Sequence, residues 1–250
     1  MRRTEHFLLL TWLLMTGLIA AGAWVIVDQG LLRYLIATDR SYVSLVVIAM
    51  YLVGLGHSLG RTLYLSRELN CVADIERALD SPNTGLLRLV DHRLVTADGT
   101  LLPRGFLSDF LVDLVQARRA EPALNADASE GANDLLEAAA ARLRGRLEFG
   151  WFLIDLMLKV GFLGTLIGFI WMLASVSEHA VIDAASMLNI LKDMSYGMST
   201  ALNTTLSSLV GGILLSLPYY LLGRGLDELL EVTVRLTRVE ILPRLAAGAA

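Results

Sequence analysis

The sequence predicts an all-α integral membrane protein with four transmembrane helices. Hydrophobic residues make up 55% of the 250 positions and charged residues only 18%, which is too apolar a balance for a soluble domain. The apolar residues also gather into four long stretches, each close to the about 20 residues that cross a hydrocarbon layer. Composition and segment length together therefore determine the fold class.

The predicted spans are apolar segments separated by polar ones. Their approximate bounds are Phe7–Val27, Tyr42–Leu59, Phe149–Ser175 and Ser195–Leu222. The first segment has the basic start of a signal peptide, but its apolar run is longer than that of most signal peptides and no A-x-A cleavage pattern follows it. We therefore interpret the first segment as a transmembrane helix.

Basic residues determine the predicted orientation. Arg2 and Arg3 precede the first span, arginines are dense between the second and third spans, and four more follow the fourth: Arg224, Arg235, Arg238 and Arg244. By the positive-inside rule, both termini and the central segment are cytoplasmic. The predicted organisation is residues 1–59 for the first two spans, 60–148 for a cytoplasmic segment, 149–222 for the last two spans and 223–250 for a cytoplasmic tail.

The central segment carries the predicted soluble elements. Leu63–Leu79 and Gly105–Ala120 have the apolar spacing of helices. Between them, an Asp98-Gly99 pair joins two short β-prone runs that start at Leu94 and end at Leu102. Because Asp-Gly favours tight hairpin turns, we expect a small hairpin there.

The end of the central segment is predicted to enter the membrane as a helix. Glu121–Asn133 is polar and has no apolar period, so we interpret it as a linker. Asn133 or Asp134 is then expected to cap a helix that continues without a breaker into the third span. Such a helix would couple events in the cytoplasm to events in the membrane.

The sequence offers little for catalysis or metal binding. Cys71 is the single cysteine and lies on the predicted reducing side, so neither a disulfide nor a thiolate metal cluster is expected. The histidines, His6, His57, His92 and His179, have no ligand spacing. The sequence also lacks a phosphate-binding loop and a nucleophile elbow. We therefore expect no enzyme activity, no metal, no cofactor and no nucleic-acid partner.

The third and fourth spans carry small and hydroxyl residues at helical spacing. In the third span these are Gly161, Gly164, Thr165 and Gly168; in the fourth they form two adjacent stripes, Thr200, Asn203, Thr204, Ser207 and Gly211 beside Ala201, Thr205, Ser208 and Gly212. Hydrocarbon offers a polar side chain no hydrogen-bond partner, so something other than lipid must face these stripes. Two interpretations stay open, namely close helix packing and a hydrated path for an ion.

Two motifs resemble signatures of the MotA/TolQ/ExbB proton channel family. Gly161-Phe162-Leu163-Gly164-Thr165-Leu166-Ile167-Gly168 resembles G-L-L-G-T-V-x-G, and Ala201-Leu202-Asn203-Thr204-Thr205-Leu206 resembles A-L-x-x-T-A. The order and spacing of the motifs agree, and so does the proline near the end of the fourth span. Four spans with a central cytoplasmic segment resemble MotA, whereas the motifs are closer to those of TolQ and ExbB.

The resemblance implies an ion-driven motor in a bacterial inner membrane. In such a motor, five copies of the subunit ring two copies of a single-span partner similar to MotB, TolR or ExbD, whose membrane aspartate carries the ion. The motifs assign Thr165 and Thr205 to the ion path, and the hydroxyl stripes add Thr200, Asn203, Thr204 and Ser208. Close packing would involve Gly161, Gly164, Gly168, Gly211 and Gly212. We expect protons rather than sodium, because both motif threonines are present.

Two features depart from the family pattern. Thr200 stands where TolQ and ExbB carry an acidic residue. Leu158 and Lys159 occupy positions that are apolar or proline in the family, and Lys159 follows Asp155 by four residues. The two charges are interpreted either as an i,i+4 ion pair at the membrane edge or as part of a cytoplasmic ion exit. Pro218 is expected to kink or end the fourth helix.

A second class of function stays open beside the motor. Small-residue seams also build a non-transporting membrane scaffold or assembly protein. A transporter with an internal repeat is a further alternative, but the first two spans lack the Gly-Thr pattern of the last two. The symmetry of the oligomer distinguishes these classes, because a motor subunit must form a ring.

Overall fold

The computed structural model of the chain describes residues 7–30, 33, 39, 41–79, 88–90, 93–95, 103–120, 128–177 and 184–241. Its helices are α1 (Phe7–Asp28), α2 (Val43–Leu79), α3 (Phe106–Ala120), α4 (Ala128–Ser177) and α5 (Ala184–Leu236), and a π-helical turn, Thr237–Ile241, follows α5. A two-stranded antiparallel hairpin, β1 (Arg88–Val90) and β2 (Arg93–Val95), precedes α3. The fold is thus helical apart from one short hairpin in the described part of the chain.

Four of these helices, α1, α2, α4 and α5, are long and apolar enough to cross a membrane, as the sequence predicted. Two of them are longer than expected. α2 joins the second span and the predicted helix Leu63–Leu79 into one element. α5 begins at Ala184 and continues through the start of the predicted tail, so that residues 223–236 are helical.

Pro218 lies inside α5 and does not end it, contrary to one of the two expectations. A proline in a helix interior removes one backbone N–H donor. The neighbouring side chains Leu215 and Tyr219 are at most 1% exposed, and this packing holds the helix on both sides of the proline. Tertiary contacts therefore outweigh the local preference to break the helix.

The predicted linker is partly helical. α4 begins at Ala128, so residues 128–133 belong to the helix and neither Asn133 nor Asp134 caps it. The Oδ1 atom of Asn133 instead accepts a hydrogen bond of 2.8 Å from Arg238. Residues 121–127 of the predicted linker lie outside the described residues. The predicted continuity of this helix into the third span is confirmed, because α4 runs unbroken to Ser177.

The hairpin lies closer to the N-terminus than predicted. Leu94 and Val95, expected in its first arm, belong to the second strand and pair with Leu89 and Arg88. The backbone ladder pairs Leu89 with Leu94 and Val90 with Arg93. The predicted Asp98-Gly99 turn lies outside the described residues.

The chain divides into two compact units. One, which we call the membrane unit, comprises Thr11–Gly60 and Glu148–Leu221; the other, the second unit, comprises Met1–Leu10, Arg61–Leu147 and Leu222–Ala250. The helices α1, α2, α4 and α5 contribute residues to both units. The unit boundaries within α2, α4 and α5 fall after Gly60, Leu147 and Leu221.

Tyr219 connects three helices of the membrane unit. Its ring occupies the space beside Gly150, where a Cβ atom would lie 1.8 Å from Tyr219 Cε1. Its hydroxyl lies 2.7 Å from His57 Nδ1 and 3.2 Å from the carbonyl oxygen of Gly54. The His57 ring also meets Phe149 edge to face, with centroids 5.1 Å apart. Because a buried hydroxyl is costly without partners, these contacts fix α2, α4 and α5 in register.

Two further polar contacts position α1 and α2. Trp12 of α1 donates from Nε1 to Ser58 Oγ at 2.9 Å, and both side chains are buried. Asp39 accepts hydrogen bonds from the backbone nitrogens of Ser41 at 2.9 Å and Ser44 at 2.7 Å, which satisfies donors at the start of α2.

Burial raises the pKa of Asp39, but the hydrogen bonds from Ser41 and Ser44 outweigh the effect of burial and hold that pKa below its usual value.

The second unit packs around α3. Its apolar face, Leu107, Phe110, Leu111 and Leu114, is at most 4% exposed. The backbone nitrogen of Phe106 donates to Glu68 Oε2 of α2 at 2.6 Å, so a side chain distant in sequence caps the first turn of α3. Arg235 of α5 pairs with Glu76 of α2. These contacts give the unit a core of its own.

Candidate functional site

The small residues of the last two spans meet in one seam between α4 and α5, which lies wholly within the membrane unit. The facing pairs are Gly161 with Ser208, Gly164 with Thr204, and Gly168 with Ala201. A Cβ atom at Gly161 would lie 1.8 Å from Ser208 Oγ, and one at Gly168 would lie 2.6 Å from the backbone nitrogen of Ala201. The helices approach this closely because these positions have no side chain.

The sequence analysis missed one member of the seam, Gly197. A Cβ atom there would lie 2.8 Å from both the carbonyl oxygen of Gly168 and the backbone nitrogen of Met172. The spacing of Gly197, Ala201 and Thr204 by four and three residues is helical, and extending the fourth-span stripe by one turn would have found it. The seam therefore reaches one turn further along α5 than the motifs do.

The last two predicted packing glycines have looser surroundings. A Cβ atom at Gly211 would lie 2.7 Å from the terminal methyl group of Met157, and one at Gly212 would lie 3.3 Å from Leu158 Cδ2. In both cases the nearest atom ends a flexible side chain. The closest backbone approach in the seam is thus at Gly168 and Gly197, whereas Gly161 and Gly164 face the side chains of Ser208 and Thr204.

Three of the predicted path-lining residues are buried, and two of them, Thr204 and Ser208, face glycines of the seam. Thr200 and Thr204 are 0% exposed and Ser208 is 2% exposed. Thr204 Oγ1 donates to the carbonyl oxygen of Ala201 at 3.0 Å, and Ser208 Oγ donates to that of Thr205 at 2.9 Å. Within one chain these hydroxyls are covered by helix packing, and their part in an ion path stays a prediction.

The two motif threonines lie together at the edge of the seam. The hydroxyls of Thr165 and Thr205 are in contact, and both side chains are half-buried. Thr165 Oγ1 also lies 3.1 Å from the carbonyl oxygen of Gly161, and Thr205 Oγ1 lies 3.2 Å from that of Ala201. Each hydroxyl carries one hydrogen and two lone pairs. One of the two hydrogens joins the oxygens and the other can be donated to a carbonyl, so lone pairs remain that can accept from a group approaching the seam edge.

Asn203 lies beside the seam rather than within it. Its side chain is half-buried, and Asn203 Nδ2 donates to Ser199 Oγ at 3.3 Å. Ser207 Oγ in turn donates to the carbonyl oxygen of Asn203 at 2.7 Å. These contacts lie within α5, so Asn203 and the Thr165–Thr205 pair are not joined by them.

Asp155 and Lys159 form the predicted i,i+4 ion pair on α4. Lys159 Nζ lies 2.5 Å from Asp155 Oδ2. The Asp155 side chain is 56% exposed and the Lys159 side chain is 70% exposed. The pair therefore lies on the outer surface of the chain and not in the seam. Among the described residues, His, Cys, Asp and Glu side chains form no group of three that could hold a metal ion.

Comparison with known proteins identifies the family. The model of the MotA/TolQ/ExbB proton channel family matches residues 107–233, which is just over half of the 250 residues. The match begins in α3 and extends through both seam helices, so it starts upstream of the two motifs. A search of curated proteins gave no significant match. Members of this family are channel and energy-transducing proteins rather than enzymes, and they generally act with MotB-, TolR- or ExbD-like partners. The chain is a multi-pass membrane protein that belongs to the MotA/TolQ/ExbB proton channel family.

Proposed function

We propose that this protein is the ring-forming subunit of an ion-driven motor in a bacterial inner membrane, with both termini and residues 60–148 in the cytoplasm. Five copies surround two copies of a single-span partner of the MotB, TolR or ExbD kind. Ion flow past the membrane carboxylate of that partner moves ring and partner relative to each other. The observation that supports this proposal is the contact between Thr165 and Thr205 beside two backbone carbonyls.

The threonine pair suits a carboxyl group that changes its protonation state. A carboxylate in a low-dielectric layer must be protonated or hydrogen-bonded, because desolvation penalises its charge. A hydroxyl donates to the charged form and accepts from the protonated form. The pair thus serves both states without a fixed charge, and we take the ion to be a proton.

The energetics are compatible with mechanical work. One elementary charge that crosses a potential of 100 mV releases about 2.3 kcal/mol. This is about four times the thermal energy, and several charges per turn supply proportionally more. A ring that passes one proton per carboxylate and per step therefore has enough energy to rotate against a modest load.

Native mass spectrometry tests the assembly. The full chain is purified in detergent, first alone and then after co-expression with the single-span protein encoded beside it. Five copies alone, and five copies with two partner chains after co-expression, support the motor. A monomer or dimer that captures no partner contradicts it and favours the scaffold, which the close packing of Gly161, Gly164 and Gly168 would also serve.

A flux measurement tests the ion path itself. The complex is reconstituted in liposomes that contain a pH-sensitive dye, and a potassium gradient with valinomycin sets the membrane potential. Potential-driven acidification that depends on the partner supports proton transport. Acidification that requires added sodium would mean that sodium, and not the proton, is the driving ion. A complex that forms without any ion flux would contradict the proposal of a channel.

A further inference from the structure

The Asp155–Lys159 pair lies at a depth where charges do not face lipid. Trp151 and Trp171 of α4 are 48% and 41% exposed, and the helix between them is about 30 Å long, the thickness of a hydrocarbon layer. Exposed tryptophans at the two ends of a span mark the membrane interfaces. Asp155 and Lys159 stand about 6 Å and about 12 Å inside the Trp151 end. Charged residues at such depth face protein or water.

The surroundings of the pair favour protein over water. Phe152, Phe162 and Leu166 lie on the same face of α4, at helical spacing from the two charges, and are 58%, 64% and 46% exposed. A face lined by large apolar side chains would be a poor wall for a water-filled cavity. A large apolar and aromatic patch is typical of the core of a protein interface, and a charge pair in such a core needs a further hydrogen-bond partner.

The face of α5 that consists of Leu202, Leu206, Leu209, Ile213, Ser216 and Tyr220 offers a matching surface. Its leucines and isoleucine are 47% to 63% exposed, and Tyr220 is 58% exposed. Ser216 Oγ donates to the carbonyl oxygen of Ile213 at 2.8 Å, so its lone pairs point outward from that bond and can accept. Lys159 Nζ uses one of its three hydrogens toward Asp155. The α5 face therefore offers a hydroxyl oxygen that can accept a hydrogen bond, and the α4 face offers ammonium hydrogens that can be donated to it.

The depths of the two polar groups also agree. In the antiparallel seam Gly150 faces Tyr219 and Gly161 faces Ser208, which puts Asp155 level with residue 214 by interpolation. Side chains lean toward the N-terminus of their helix, so Lys159 leans toward Asp155 and Ser216 toward Ile213. The ammonium and the hydroxyl thus come to the same level. Rotation about an axis along the membrane normal keeps every residue at its depth.

We propose that the α4 face with Asp155 and Lys159 packs against the α5 face with Leu209 and Ser216 in a neighbouring copy of this chain, and that Lys159 donates a hydrogen bond to Ser216 of that copy. Two different faces of one chain then meet head to tail, which is the kind of interface that closes into a ring. This inference rests on the ring assembly proposed above and adds its contact surface.

Disulfide cross-linking of the full chain tests the surface. Cys71 is first replaced by Ser, which keeps a donor toward the Arg104 carbonyl oxygen. Phe162→Cys with Leu209→Cys then leaves the ion pair intact, and oxidation in native membranes is expected to give a ladder of covalent oligomers. The matched control is Phe162→Cys with Val210→Cys, which moves one thiol about 100° around α5 at nearly the same depth. We expect at least about fivefold less cross-linking in the control, because thiols that point apart cannot bridge.

The ion pair and its hydrogen bond are tested in the same background. Lys159→Met leaves Asp155 unpaired in the interface and is expected to lower the cross-linked fraction several-fold. Exchanging the charges, Asp155→Lys with Lys159→Asp, is expected to restore most of the cross-linked fraction. Ser216→Ala removes only the accepting oxygen and is the milder variant, with an expected loss of about threefold to tenfold, the range for one ordinary hydrogen bond.

The outcomes separate this inference from the proposed function. A five-copy ring in native mass spectrometry without cross-links between positions 162 and 209, or with equal cross-linking in the control, overturns the inference and leaves the motor in place. Cross-linking that is insensitive to both Lys159→Met and Ser216→Ala overturns the hydrogen bond. If the chain forms no ring, that result contradicts both the proposed function and this inference.

Discussion

Thr165 of α4 and Thr205 of α5 bring their hydroxyls into contact at the edge of the glycine seam, each next to a backbone carbonyl of its own helix. We expect Thr165→Val and Thr205→Val to reduce partner-dependent proton flux about tenfold or more, because one hydrogen bond to a charged group is worth about 1.5–3 kcal/mol. Valine keeps the shape of threonine, so the ring should still assemble. Liposome flux and native mass spectrometry measure the two properties separately.

The control for these variants is Thr233→Val in the second unit. Thr233 is 0% exposed, and its hydroxyl donates to the carbonyl oxygen of Leu229 at 2.7 Å, a bond within α5. This change should leave flux within about twofold of the parent, since it touches no seam residue and costs at most one helical hydrogen bond. Equal flux loss in all three variants would mean that the loss reflects folding and not the path.

Gly168→Ala should destabilise the chain, because it adds a methyl group where two backbones meet. The new Cβ would lie 2.6 Å from the backbone nitrogen of Ala201 and 2.7 Å from the carbonyl oxygen of Gly197, and backbone atoms cannot move aside as a side chain can. We expect a loss of about 1–3 kcal/mol. Thermal unfolding in detergent, followed by circular dichroism, measures it.

Gly56→Ala provides the comparison for Gly168→Ala. Nothing lies within 4 Å of a Cβ atom at Gly56, and alanine favours a helix over glycine by about 1 kcal/mol. The unfolding temperature should therefore stay the same or rise. If Gly56→Ala lowered it as much as Gly168→Ala, close approach in the seam would not be the cause.

Tyr219→Phe should weaken the contact among α2, α4 and α5. The substitution keeps the ring beside Gly150 but removes the hydroxyl that lies 2.7 Å from His57 Nδ1 and 3.2 Å from the Gly54 carbonyl oxygen. The expected cost is about 1–2 kcal/mol, the price of a buried hydrogen bond and the partner left behind. A double-mutant cycle with His57→Leu isolates the coupling; strictly additive changes would mean that the two side chains do not interact.

Asp39 should make the start of α2 sensitive to acid. Its pKa is held below the usual value of 3.8 because hydrogen bonds from Ser41 and Ser44 outweigh the effect of burial. A group with a depressed folded-state pKa contributes its full stabilisation above the unfolded pKa and loses it as pH falls through the folded value. The stability difference between the parent and Asp39→Ala should thus be largest near neutral pH and shrink below about pH 4.

Unfolding temperatures of both chains between pH 7 and pH 3 measure this difference. Asp28→Ala serves as the control, because Asp28 is an exposed carboxylate at the end of α1. A difference between the parent and Asp39→Ala that grows as the pH falls would contradict the sign derived from the depressed pKa.

Local pattern was sufficient for much of this fold. The length of each apolar stretch predicted all four spans, because the thickness of the hydrocarbon layer sets a minimum length for any helix that crosses it. Helical spacing in Gly105–Ala120 predicted α3, whose apolar face is buried. The spacing of Gly161, Gly164 and Gly168 also identified the α4 side of the seam, since residues three and four apart share one face of a helix.

The ends of the helices were harder to predict from the local sequence pattern. Asn133 has the chemistry of an N-cap, yet α4 starts at Ala128 and Asn133 Oδ1 accepts from Arg238, a residue more than a hundred positions away in sequence. Pro218 has the chemistry of a helix breaker, yet α5 continues to Leu236. In both cases contacts with sequence-distant residues compete with the local preference, and a sequence pattern does not contain those contacts.

The sequence by itself determined the class of this protein, its family and the residues that can pack closely or donate a hydroxyl hydrogen, because these depend on side-chain chemistry and helical period. Only the tertiary structure decided how those residues are distributed. It buries Thr200, places Thr204 and Ser208 against the glycines, brings Thr165 and Thr205 together at the seam edge, and leaves Asp155 and Lys159 on the outer surface. The physical reason is that the rotation of α4 about its axis relative to α5 is set by where the two backbones approach most closely, and that depends on both helices at once.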